Sequence, residues 1–410
     1  MKKIFVLLFF ITVAGYAQNR SDIQIDPSLI KTKNLLWDLH TLSKAPEVEW
    51  LDQKSKVQSL LYNSVDYEGR GTQVFAYYSN PDILAGKSGK RKFPGIVLIH
   101  GGGGTAFKMW VEKWAAEGYA AIAMDLSGNG PDGKKLLKAG PDQSHESKFD
   151  KIVKGDIKDV WTYHAVASSI LAHSFLLSRP EVNQTRTSVT GISWGGYLTC
   201  IVGAIDNRFK AAVPVYGCAF YDESDVFKAP LEQLPPVSKT KWMQFFDPSA
   251  YLPYAREPFL FLNGNKDKFY NVVPYKKTYD LIPKTNRNVL ILPDMKHSHD
   301  WGWEPHEIRY FLENILNDQM PLTKIGQIQE TNDTITASYE APVSVWYADF
   351  YYTNDTTSTN EQRSWQKQPV KINPEQRTLQ TQIPKESFKY GFFHLKDHRN
   401  VSASSEFIIH

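Results

Sequence analysis

Cysteine is nearly absent from this chain: Cys200 and Cys218 are the only two among 410 residues. A disulfide-stapled small scaffold is therefore excluded. A single Cys200–Cys218 bridge is compatible with export, but both positions belong to core elements and read as buried free thiols. Cysteines and histidines show no metal-ligand spacing, so a metal-free protein without a cofactor is expected. Charge of one sign is also missing, with 47 Lys and Arg against 44 Asp and Glu for a formal +3. That balance argues against nucleic acid or an anionic membrane as partner. The apolar run 4–13 is too short to cross a bilayer.

That run has another reading. Lys2 and Lys3 precede it, and Ala14-Gly15-Tyr16-Ala17 follows it before Gln18. A basic start, a short apolar stretch and small residues at −3 and −1 describe a secretory signal over 1–17. A retained anchor is the alternative, and the length of the run counts against it. Gln18, not a cysteine, follows the cleavage point directly, so lipoprotein anchoring is not expected. Without Lys2 and Lys3 the count is 45 basic residues (47 − 2) against 44 acidic, a formal +1. The expected location is exported, periplasmic or extracellular, with no membrane contact after signal cleavage.

The most informative stretch present is Gly191-Ile192-Ser193-Trp194-Gly195. It follows a β-prone run, 187–190, and opens a small-residue segment, 196–204, that reads as a helix. G-x-S-x-G at a strand-to-helix turn forms a nucleophile elbow, in which a tight turn forces small neighbours and exposes the serine hydroxyl. The pattern is common by chance, so its surroundings decide. Upstream, the apolar strand 96–99 runs into His100-Gly101-Gly102-Gly103-Gly104. Glycines there let backbone N–H groups approach a substrate carbonyl and meet the charge that develops on its oxygen. The N–H of Trp194 and that of Gly102 or Gly103 are the candidate oxyanion donors. A phosphate-binding loop is the competing reading, but neither G-x-G-x-x-G nor a following Gly-Lys-Ser/Thr is present.

An acid and a histidine should follow the serine in that order. The apolar strand 257–262 ends in Asn263-Gly264-Asn265-Lys266-Asp267, and the strand 288–292 ends in Pro293-Asp294-Met295-Lys296-His297-Ser298-His299. Asp267 is assigned as the acid that orients the imidazole and His297 as the general base, with His299 as its rival.

These segments resemble secreted bacterial α/β hydrolases of the acetylxylan esterase, dienelactone hydrolase and prolyl oligopeptidase branch. The matching stretches are HGGGGTAF (100–107), GYAAIAMDLSG (118–128), TGISWGGYLTCIVGAID (190–206) and LPDMKHSHDWGWEP (292–305). They cover about half the chain, from residue 95 to about 317, and are more specific for fold than for substrate. Repeated propeller blades, as in true prolyl oligopeptidases, are lacking. Asn265-Lys266-Asp267 also replaces the more usual Thr-Asn-Asp of the acid loop.

Length and pattern predict an α/β-hydrolase catalytic domain over 18–320, its doubly wound sheet mostly parallel. An amphipathic helix around 29–42 caps it. Strands 57–64 and 72–78 pair through Glu68-Gly69-Arg70-Gly71. A long helix, 156–178, carries Ile157, Val160, Trp161, His164, Ser168, Leu171 and Phe175 along one stripe, with His164 a hydrogen-bonded core histidine. The Gly-, Lys- and Asp-rich segment 127–150 reads as a mobile loop. The aromatic insertion 218–250 reads either as a lid that offers Tyr221, Trp242 and Phe245 to substrate or as a flap packed on the body. Both should overhang the serine, because open α/β sheets bind at the carboxyl ends of their strands.

From 321 to 410 the pattern changes to short β-prone runs, which suggest an immunoglobulin-like sandwich. Alternation puts Trp346, Ala348, Phe350 and Tyr352 on a core face, with Val345, Tyr347, Asp349 and Tyr351 opposite. Tyr347, Tyr351 and Trp365 are then either sugar-stacking residues or part of an accessory packing domain.

The expected chemistry is acyl transfer to water through Ser193, His297 and Asp267, on a small-molecule or polysaccharide ester. A prolyl oligopeptidase-type peptidase is the alternative. It needs acids for a substrate amine, with Asp222, Glu223 and Asp225 candidates by location. A catalytically silent binding protein is the third reading.

Overall fold

The computed structural model describes residues 35–384 and 388–410. The signal segment 1–17 and the start of the expected cap lie outside the described residues. Among the described residues no helix is long and apolar enough to cross a membrane.

Nine strands form the principal sheet. They are β1 (Val48–Asp52), β2 (Gln58–Tyr67), β3 (Arg70–Ser79), β4 (Phe93–Ile99), β5 (Ala120–Met124), β6 (Val182–Ile192), β7 (Ala211–Val215), β8 (Phe259–Gly264) and β9 (Arg287–Leu292). Their order is β1-β2-β3-β5-β4-β6-β7-β8-β9. The hairpin β2–β3 is antiparallel, as expected, and β3 joins β5 antiparallel. From β5 to β9 every pairing is parallel. Every residue of β4, β5, β7 and β8 is buried. Helices cover both faces of these strands, so apolar side chains are required on both sides, and their sequences run apolar without alternation.

Three local expectations change. The helix expected around 29–42 is, in its described part, a single turn, Leu39–Leu42, capped by Asp38. The helix expected from 156 begins later. The Asp156 side chain caps a 3-10 turn, Ile157–Asp159, Val160 turns extended, and the α-helix runs Trp161–Ser178. Every residue of that helix from Trp161 to Leu176 is buried, so no single stripe faces the core. His164 is buried as expected, but its Nε2 has no hydrogen-bond partner among the described residues.

Residues 324–409 form two antiparallel sheets. One is β10 (Lys324–Glu330), β11 (Thr334–Glu340), β15 (Thr378–Gln382) and β14 (Lys371–Asn373). The other is β13 (Gln366–Pro369), β12 (Val345–Thr353), β16 (Tyr390–Asp397) and β17 (Ser402–Ser404), with β18 (Ile408–Ile409) on β16. Between them lies a second core that includes Ile335, Leu379, Phe350, Phe393 and Leu395. Ala348 and Phe350 face that core, and Tyr352 stacks on Phe350. Trp346 does not: it is 54% exposed. The pairing of β12 with β16 slips between Val345 and Tyr347, and a bulge there breaks the alternation that sequence reading relied on.

The outer face of β12 and β16 packs on the hydrolase sheet. Tyr351 stacks on Phe392 at 5.3 Å, and Trp365 and Phe407 close around Phe392. Phe392 and Phe407 belong to the main core, with Tyr351 and Trp365 packed against it. Polar contacts seal the seam. The Ile291 N–H donates to Ser404 Oγ at 2.7 Å, and buried Arg287 pairs with Asp280 and Glu406.

Candidate active site

The parallel strands deliver the chemically interesting residues to one edge of the sheet. β4 ends at His100, β6 at Ser193, β7 at Tyr216, β8 at the 265–267 loop and β9 at the loop bearing His297. Ser193 sits between β6 and the helix Trp194–Ile205 with φ 61° and ψ −118°. That backbone is strained for a residue with a side chain, and such strain gathers at functional sites. Its neighbours must be small. A β-carbon on Gly195 would drive into the carbonyl oxygens of Ile99 and His100, and one on Gly191 into the carbonyl of Gly195. The serine is half-buried at the helix N-terminus.

Asp267 is fully buried. Its Oδ1 accepts from the N–H groups of Phe269 (2.7 Å) and Tyr270 (3.2 Å), and it lies 3.1 Å from His297 Nδ1. Its Oδ2 has no partner among the described residues. The His297 ring is wedged between Tyr216 and Phe269, with centroids 4.4 and 4.5 Å away. Tyr216 fixes the same loop by donating its hydroxyl to the carbonyl of Lys296 at 2.7 Å. An imidazole so held presents Nε2 away from the acid.

His299 faces a different partner. Its Nε2 accepts the N–H of Gly101 at 3.0 Å. The two histidines are thus separated by geometry: His297 meets the acid, His299 the glycine loop. A β-carbon on Gly101 would meet Ile192 O at 2.7 Å, Ser193 Cβ at 3.0 Å and His299 Nε2 at 3.1 Å, so the glycine loop lies directly against the elbow. Gly103 has φ +68°, a conformation that favours glycine, and open space beside it.

Sequence reading missed several neighbours. Lys148, in the segment read as a mobile loop, is buried, with Nζ 4.2 Å from the Trp194 ring centroid and 5.0 Å from that of Trp161. Burial lowers its pKa to about 7. A lysine in a Gly- and Asp-rich stretch gives no signal of burial. Only Phe149 beside it hinted that the segment docks, and Glu146–Asp150 forms a π-helical turn on the body.

The 218–250 segment also packs inward. Tyr221 and Trp242 are fully buried and lie 5.7 Å apart in a stack that reaches Phe227 and Trp194. The packed flap, rather than a lid offering these two rings, describes them. Phe245 is half-buried, and its carbonyl accepts from the Tyr251 hydroxyl. Of the acids named for an amine site, Glu223 pairs with Lys277 and Asp225 meets Asn271. Cys200 and Cys218 are buried free thiols.

Residues 33–229 match the family model for acetyl xylan esterase, a span that includes the glycine loop and Ser193 but ends before Asp267 and His297. The fold is similar to the acetyl xylan esterase from Paenibacillus sp. R4 (TM-score 0.52, 19% identity, 68% of this chain and 92% of that one). It is similar also to acetyl xylan esterase 1 from Thermoanaerobacterium sp. JW/SL YS485 (TM-score 0.50, 18% identity, 67% and 92%). In sequence the chain is 23% identical over 318 residues to the acylamino-acid-releasing enzyme of Homo sapiens, covering 71% of this chain and 39% of that one. It is 24% identical over 248 residues to an uncharacterized peptidase of Bacillus subtilis (strain 168), covering 58% and 35%. The chain thus spans well under half the length of these curated relatives. Strand order, elbow and family match lead to one conclusion: the chain has the α/β-hydrolase fold, and its residues 33–229 are similar to the acetyl xylan esterase family.

Proposed function

We propose that the protein is an exported serine hydrolase that cleaves carboxylic esters of carbohydrates, of the acetylxylan type. The observation that carries this reading is the strained serine on its elbow, with a buried acid–histidine pair delivered to the same sheet edge. Ser193 Oγ attacks the ester carbonyl while His297 Nε2 takes its proton. Asp267, accepting from Nδ1, holds the tautomer and stabilises the imidazolium. The N–H groups of Trp194 and of Gly102 or Gly103 meet the oxyanion. His297 then protonates the departing sugar alkoxide, and water, activated by the same imidazole, releases the acid from the acyl-serine.

The likeness to an acylamino-acid-releasing enzyme favours a second reading, a peptidase. Binding a free amine calls for available acids. The engagement of Glu223 by Lys277 and of Asp225 by Asn271 leaves Asp222 as the remaining candidate of the three, short of a pair of acids, and so supports the esterase instead.

Hydrolysis of p-nitrophenyl acetate, acetylated xylan and a prolyl p-nitroanilide by wild type and Ser193→Ala tests both readings. Release of acetate from xylan that disappears in the variant is expected. Cleavage of the anilide alone moves the protein to the peptidases. Acetate release undiminished in Ser193→Ala ends the serine mechanism, and silence on all three substrates points to the binding-protein reading.

A further inference from the structure

Gly101 is held from both sides by imidazoles, one at its N–H and one at its carbonyl. Its N–H donates to His299 Nε2 at 3.0 Å, and its carbonyl accepts from His100 Nδ1 at 2.7 Å. Both rings are themselves anchored. His100 is buried, and its Nε2 accepts the N–H of Leu126 at 2.9 Å. His299 opens the helix His299–Trp303, whose cap Ser298 accepts from the N–H of Trp301, and its ring lies 4.9 Å from that of Phe107. An imidazole that accepts at Nε2 is neutral there and carries its proton on Nδ1. Burial first, then the neighbouring His100 and His297, lowers the His299 pKa to about 4, which keeps that lone pair available.

The occupied lone pair matters for the assignment of roles. A base for Ser193 must turn a free ring nitrogen to the hydroxyl, and His299 spends Nε2 on a backbone amide. Holding that amide has a use. Four successive glycines, 101–104, bring no β-carbon to limit their dihedrals, so the loop is entropically expensive to order. Oxyanion donors stabilise a transition state only when they are fixed before the charge develops. With the Gly101 N–H already engaged, the N–H groups of Gly102 and Gly103 are the ones left to face substrate.

We propose that His299 is a positioning residue which, together with His100, clamps the backbone on either side of Gly101 and so aims the oxyanion donors of Gly102 and Gly103. The inference rests on the reading of Ser193 as nucleophile and of this loop as its oxyanion hole. It makes His299 neither the base nor a bystander, and accounts for a second histidine two residues after the first.

The test is steady-state hydrolysis of p-nitrophenyl acetate by wild type, His299→Gln, His299→Met and Ser193→Ala, with inhibition by phenylboronic acid measured alongside. Glutamine retains an acceptor oxygen and methionine does not. His299→Met should lose about 30- to 100-fold in kcat with KM within about twofold, and should bind the boronate correspondingly less tightly. His299→Gln should recover to within about fivefold of wild type, since it can still accept the Gly101 N–H. Both should keep the acid limb of the wild-type pH–rate profile. His299→Met within twofold of wild type would overturn the proposal. So would a His299→Gln as inactive as His299→Met with the acid limb gone, which would make His299 the base. If His299→Met does not fold, His299→Ala takes its place with the same expected losses, and an alanine variant within twofold of wild type, in both kcat and boronate binding, overturns the proposal. Full activity in Ser193→Ala would instead remove the underlying reading of the site.

Discussion

Asn360, on the loop between β12 and β13, donates its side-chain N–H to the carbonyl of Tyr270 at 2.9 Å. Tyr270 in turn gives its own N–H to Asp267 Oδ1. Asn360 is buried and is oriented by Arg363, whose guanidinium also holds the carbonyls of Asp355 and Ser358. Lys266 reaches back to the carbonyl of Arg363. The sandwich therefore braces the loop that carries the acid. Asn360→Ala leaves a buried carbonyl without its donor and should cost about 1–3 kcal/mol of stability. It should also lower kcat on an ester several-fold with KM unchanged, because a displaced Asp267 misaligns His297. A drop in melting temperature with unaltered kcat would mean that the brace serves the fold alone.

The pair Asp267–His297 makes a sharper prediction. Asp267→Asn keeps the size of the side chain, but its amide N–H can face Nδ1 and impose the other tautomer. By analogy with a serine protease in which that exchange was made, kcat should fall by about 10⁴ while the fold survives. Circular dichroism and kcat together check it; a loss below tenfold would remove Asp267 from the role of orienting acid.

Sequence and structure agree where local chemistry dictates geometry. Gly191 and Gly195 are needed because no β-carbon fits either side of the elbow, and the apolar residues 96–99 and 259–262 lie in strands because both their faces are covered; the second strand starts two residues later than expected and runs Phe259–Gly264. What was not legible depends on tertiary context. His297 and His299 occupy one short loop and carry the same chemistry; only their partners, Asp267 and the Gly101 amide, tell them apart. Trp346 was misplaced because a bulge has no signature in a run of aromatics. The π-helical turn that buries Lys148 was equally silent, since its residues, Glu-Ser-Lys-Phe-Asp, are mostly polar. Tyr351 and Trp365 follow the accessory-packing alternative, because the hydrolase sheet covers their strand face.

The flap 218–250 can be tested as packing. Trp242 is fully buried, stacks on Phe149 at 5.5 Å and donates its indole N–H to the carbonyl of Lys148 at 2.9 Å. Trp242→Ala should therefore destabilise the protein by about 3–5 kcal/mol, the cost of a large aromatic cavity. KM for a small ester should stay within about threefold, well below the effect of deleting a substrate contact worth 1.4 kcal/mol. Denaturant unfolding and kinetics on the same preparation separate the two. A stable variant with sharply raised KM would restore the lid reading.

His394 is one of the groups through which acid should act on the fold. Its side chain lies in the seam face of β16, edge-on to the rings of Tyr347 and Tyr351, and neither ring nitrogen has a partner among the described residues. Burial first, and the nearby Lys396 and Lys367, lower its pKa to about 4, with Asp349 opposing. The unfolded chain binds a proton at this residue below about pH 6.5, and the folded protein does so only near pH 4. The stability that depends on a neutral His394 is thus complete above pH 6.5 and drains away as pH falls towards 4. A shift of that size is worth at most about 3 kcal/mol. His394→Leu removes the proton uptake and two unsatisfied polar atoms together. It should therefore unfold no more readily than wild type at pH 7.5, and should lose less stability on passing to pH 4.5. His164, His173 and His299, each also lowered to about 4 chiefly by burial, keep a residual slope in the variant. Melting temperatures at the two pH values decide the matter: parallel losses in wild type and His394→Leu would show that His394 takes up its proton as freely folded as unfolded, and the acid sensitivity would then belong to other groups.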